Sequence, residues 1–179
     1  YFMNILNFEK KFISKSYLTI SVLGNSYKLN IKYSASKVVE LIKKDNDFEL
    51  ILPKKYKNMD NLEIVNQTIK KLYSEIAPKE LEYSLELVRH IVKFAPEDYS
   101  IERLKNCYYK VVNKNCLIIN PDIVQYNCEI INTTLIQAFC KMKFKVNSKA
   151  YKESLSKAMN CYENYKIKNK NSQNLSVAI

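Results

Sequence analysis

The chain has 179 residues, 47% of them hydrophobic, with one Gly, four Pro and a formal charge of +11. That length buries a real core in one globular domain, and the absence of a Gly/Pro/Ser linker or an internal repeat argues against a second. Five Cys without a CxxC pair exclude a disulfide scaffold and a Cys-rich zinc site, and read as reduced, mostly buried thiols.

Tyr1 and Phe2 precede Met3 and read as a cloning remnant. No apolar signal core follows, and no apolar run is long enough to cross a membrane, so a cytoplasmic address is expected. Residues 3–169 are expected to form the domain and 170–179 a polar tail, frayed beyond Asn169.

Residues 17–33 predict a hairpin, with runs ending at Leu23 and starting at Tyr27 around Gly24-Asn25-Ser26. Residues 37–42 and 48–52 predict a second around Asp45-Asn46-Asp47, closed by Pro53. Asp60 or Asn61 can cap a helix to about Ile76, with Leu62, Val65, Ile69 and Leu72 as its apolar stripe. Pro78 suits the first turn of a separate helix over 79–94, carrying Leu81, Leu85, Val88 and Val92. Short strands are predicted at 99–105, 108–112 and 116–120, with a turn at Asn113-Lys114-Asn115 between the last two. A helix over 128–143 follows, with Ile131, Leu135, Phe139 and Met142 on one face. The last helix begins near Ser148 and shows Tyr151, Leu155, Ala158 and Tyr162. Strands, helices, strands, helices: the fold class is α+β.

Charge is uneven. Residues 141–179 hold nine Lys against Glu153 and Glu163. A Lys-rich stretch over 141–170 suits an anionic partner such as nucleic acid. Yet the basic residues are 27 Lys and two Arg (Arg89, Arg103), and Arg is the residue of bidentate phosphate and base contacts. With 20 Asn and 14 Tyr, codon bias of an AT-rich genome is the favoured explanation of the charge and needs no partner.

Residues 103–151 carry a family resemblance. Leu117-Ile118-Ile119-Asn120 is a strand ending in Asn, Ile123-Val124 an apolar pair, and Glu129 an acidic residue before a helix. In this frame the chain resembles the YgjP-type zincin-like metallopeptidase domain, a relative of the SprT-like proteases, which places His-Glu-Leu-x-His on that helix and Asn-His-Ser after it. Gly24-Asn25-Ser26-Tyr27-Lys28-Leu29 and Leu52-Pro53 resemble the family's N-terminal half. The resemblance puts Gln137 at the first zinc-binding His, Ala138 at the catalytic Glu, Lys141 at the second His and Asn147 at the third. The Trp-Gly-Ser-Cys segment falls on Tyr108-Tyr109-Lys110-Val111, so Tyr108, Tyr109 and Lys110, with Asn120, are expected to line the old cleft.

The substitutions have direct chemical meaning. A zincin needs two imidazoles one helical turn apart and a carboxylate that takes a proton from the zinc-bound water. Gln is a poor zinc ligand, a protonated Lys has no lone pair, and Ala138 accepts no proton. The resemblance therefore implies a pseudoenzyme with no catalytic residue, no metal and no cofactor. It leaves a cleft able to bind an unidentified protein or peptide by strand addition. The alternative is a basic nucleic-acid binder. A third reading is a hydrolase using Cys140, whose Lys141 neighbour can lower a thiol pKa, although adjacent helix residues point about 100° apart. His90, the lone His, and the isolated Asp60 and Glu129 read as solvated or helix-start residues.

Overall fold

A computed structural model describes residues 18–176, with side chains to residue 169. The fold is α+β, and the described residues divide into two compact units, 18–76 with 124–127, and 77–123 with 128–176. The remnant expected at Tyr1 and Phe2 lies outside the described residues.

The first unit holds β1 (Leu18–Val22), β2 (Asn25–Ser34), β3 (Glu40–Lys43) and β4 (Asp47–Pro53), in the order β1-β2-β4-β3. Both expected hairpins form. The first turns at Leu23-Gly24, one residue earlier than the sequence reading, with φ of 50° and 80°. Both values are positive, as a type I′ turn requires. Gly24 has a second reason to lack a side chain, since a Cβ there would lie 2.6 Å from Asn127 Cβ. The hairpins join through a parallel β2–β4 pair. That makes β4 a central strand, and Phe48, Leu50 and Leu52 are buried with Ile20, Val22 and Leu29.

Glu49 sits on this central strand with its side chain 12% exposed, bridging Lys32 and, at 3.2 Å, Lys44. Hydrogen bonds from Lys32 and then Lys44 hold its carboxyl below the usual carboxylate range. A depressed folded pKa adds stability above the ordinary carboxylate value and loses it as pH falls through the folded value. Acidification below about pH 4 should therefore weaken the native chain, and Glu49→Gln should lose less on going from neutral to acid. Urea midpoints at neutral and acid pH measure the difference. An equal loss in both proteins would remove Glu49 as the cause.

Helix α1 (Leu62–Val92) is capped by Asp60, whose Oδ1 accepts from Leu62 N at 3.0 Å. It corrects the two-helix expectation, because Pro78 lies inside it. An interior Pro costs a helix about 3 kcal/mol. Here an unbroken stripe outweighs that cost: Ala77, Leu81 and Val88 are fully buried and Leu85 nearly so, while Pro78 is exposed.

The second unit holds β5 (Asp98–Ile101), β6 (Tyr109–Val111) and β7 (Cys116–Ile119), in the order β5-β7-β6. β5 runs parallel to β7 and β6 antiparallel. The expected strand over 99–105 stops at Ile101, since the chain must turn to return as β6 and Asn106 takes a φ of 58°. The turn at 113–115 forms, with Asn113 Oδ1 accepting from Asn115 N and Cys116 N, both at 2.8 Å.

Helix α2 (Cys128–Lys143) spans the predicted residues, and α3 (Lys149–Ser176) starts after Ser148, whose Oγ accepts from Tyr151 N. α3 continues past the expected boundary at Asn169. Ile131, Leu135, Phe139 and Met142 are buried as their spacing demands. Of the five thiols only Cys140 is buried, which corrects the expectation of mostly buried cysteines. Cys107, Cys128 and Cys161 are exposed because they stand in a loop, at a helix start and on an outer helix face.

Candidate functional site

α2 packs against α3 and β6, and this buries most of its surface. From Leu135 to Lys143 the only exposed residues are Gln137, Lys141 and Lys143. Gln137 and Lys141 stand four apart and so share one face. Ala138 is fully buried, and so is Cys140.

Lys141 reaches β6. Its Nζ stands 5.5 Å from the centre of the Tyr109 ring, within cation–π range. Burial pushes the Tyr109 phenol up to about 12, with Tyr151, Cys107 and Cys140 adding to the shift. Burial raises the Tyr151 phenol and the Cys140 thiol too, although Ser154, 3.9 Å from Cys140 Sγ, opposes it for the thiol. Tyr109, Tyr151 and Cys140 are thus held in their neutral forms at neutral pH. The thiolate needed for nucleophilic attack is disfavoured at Cys140.

The other predicted positions divide. Tyr109 and Lys110 are on β6, with Lys110 exposed and opposite Ile118. Tyr108 is half-buried, and its carbonyl accepts from Asn120 N at 2.8 Å. Asn120 is buried, and its side chain holds the chain rather than a surface. Its Nδ2 donates to Leu104 O and Cys107 O, both at 3.1 Å, and its Oδ1 accepts from Asp122 N. This knot brings β6 back alongside β7 and starts the 3-10 turn Pro121–Gln125. The Asn-Pro dipeptide at 120–121, a turn-initiating pair, was the signal for it. Asn147 is exposed in the α2–α3 turn at φ 67°, a left-handed conformation that Asn tolerates.

Sequence reasoning missed the orientation of β6. Asn120 N donates to Tyr108 O, and Val112 N to Cys116 O at 3.1 Å. These are hydrogen-bonded pairs of an antiparallel ladder, in which such pairs alternate. Lys110 therefore faces β7 as well, and the N–H and C=O groups of Tyr109 and Val111 point outward. Among the described residues no strand pairs with this outer side.

His90 Nε2 lies 3.0 Å from Glu86 Oε1 on an exposed helix face, beside an Arg89–Glu86 pair. Among the described residues no group of three or more His, Cys, Asp or Glu is placed to hold a metal ion, and no helix is long and apolar enough to cross a membrane. On α3, Lys166 lies 2.8 Å from both Glu129 and Glu163, so the Lys-rich stretch offers fewer unpaired cations than its composition suggests.

Fold and site define an α+β protein with an open strand edge beside a basic helix face. No family model matches the chain, and no curated protein or solved structure matches it either.

Proposed function

We propose that this chain is a non-catalytic, cytoplasmic binding protein: a zincin-like metallopeptidase domain with its zinc ligands replaced, holding an extended peptide on the outer edge of β6. The observation that carries this is the outward-facing main chain of Tyr109 and Val111, beside the exposed Gln137/Lys141 face of α2. Strand addition uses such unpaired main-chain groups for affinity and the neighbouring side chains for selectivity. Gln137, Ala138 and Lys141 supply neither an imidazole nor a carboxylate, which favours binding over hydrolysis.

Selection from a random-peptide library tests the reading. Selected peptides should slow hydrogen exchange at the Tyr109 and Val111 amides. Failure to enrich any peptide, protection elsewhere, or protection of both amides in the free protein would each count against it.

A second reading is nucleic-acid binding through α3, favoured by the exposed Lys149, Lys152 and Lys157. It requires oligonucleotide affinity that falls steeply with salt, and those lysines to carry the slope.

A further inference from the structure

We infer that the partner taken on the β6 edge is acidic: an extended segment with Asp or Glu at alternate positions. The inference rests on the strand-addition reading above and adds the partner's charge. Two stretches build this surface. Residues 103–121 supply β6 and β7, and residues 130–152 supply most of α2 and the start of α3. Neither contains an Asp or Glu, while together they hold Arg103 and eight Lys. α2 packs against β6, so the two acid-free stretches meet there.

Arg103 is already paired with Asp122, and Lys149 stands 3.8 Å from Glu153. Lys105, Lys110, Lys114, Lys141 and Lys145 make no ion pair among the described residues. Lys141 instead rests against the Tyr109 ring. The opposite edge of the same sheet has the opposite sign, with Glu97, Asp98 and Glu102 all exposed at β5. An acidic strand is thus attracted to one edge and repelled from the other.

Strand geometry sets the spacing. Successive residues of a paired strand point to opposite faces. On one face they meet Tyr109 and Lys141, and on the other Lys110. Outward main-chain amides beside these lysines suit a peptide, which brings pairing donors and acceptors along with its carboxylates, better than a nucleic acid, whose backbone offers phosphates and no strand-pairing amides.

The test uses the full chain and fluorescein-labelled peptides about eight residues long, Val alternating with Glu, Gln or Lys. The Glu peptide should bind about tenfold tighter than the Gln peptide, and the Lys peptide weakest. Lys110→Ala with Lys141→Ala, both at exposed positions, should abolish the Glu-over-Gln preference. Methylating alternate backbone nitrogens of the Glu peptide, which removes the pairing donors, should weaken it by about tenfold or more.

Equal affinity for Glu and Gln peptides, both lost on N-methylation, overturns the acidic preference and leaves strand addition standing. Binding indifferent to N-methylation overturns strand addition itself. An oligothymidylate bound more tightly than the Glu peptide, or sedimentation showing the edge already taken by β5 of a second copy, would overturn the proposal too.

Discussion

Phe139→Ala should destabilise the second unit by roughly 3–5 kcal/mol, the cost of truncating a buried aromatic. Phe139 is 1% exposed, and its ring meets Phe94 edge to face at a centroid distance of 6.4 Å. The truncation removes apolar burial and the aromatic pair together, and leaves a cavity that helix packing cannot easily close. Two residues along the same helix, Lys141→Ala should cost no more than about 1 kcal/mol, because it removes only a surface cation–π contact. Urea unfolding of both variants and the parent measures the contrast. Comparable losses would mean that α2 does not divide into a core face and a surface face as described.

The second large effect is gained rather than lost. Gln137→His, Lys141→His and Asn147→His together should raise zinc affinity by at least roughly 100-fold, since two imidazoles one turn apart, with a third at the position the resemblance gives the family's third His, form a zinc ligand set. Each replaced residue is exposed, so no core contact is sacrificed. His also tolerates the left-handed conformation of Asn147 better than most residues. Ala138→Glu is left out because Ala138 is fully buried, and a carboxylate there would be desolvated. The expected gain is binding alone. Calorimetric titration with zinc decides it, with the parent as control. A folded triple variant that binds zinc no better than the parent would end the metallopeptidase alignment, whereas peptide capture by the β6 edge would still stand on its own geometry.

Much of the second unit was legible locally. The bounds of α2 follow from apolar residues at Ile131, Leu135, Phe139 and Met142, and the start of α3 from the Ser148 cap. The surface pair Gln137/Lys141 follows from the same periodicity. The role of Asn120 was only partly legible, because the acceptors of its side chain, Leu104 and Cys107, lie 16 and 13 residues away. The exposure of Cys107 and Cys161 was not legible, since a thiol packs as readily as it lies open and its neighbours decide.

What the sequence by itself determined is the set of elements: both hairpins, the α2 face, the caps, and the absence of acid from 103–121 and 130–152. These depend on side chains a few residues apart, whose order in the chain is their order in space. The tertiary structure alone decided that α1 passes through Pro78, that β2 pairs parallel with β4, and that Tyr109 and Val111 turn their main chain outward. Each of these depends on partners distant in sequence. A stripe buried on both sides of Pro78 outweighs a lost helical bond, and which edge of β6 stays open is settled by the strand that takes the other.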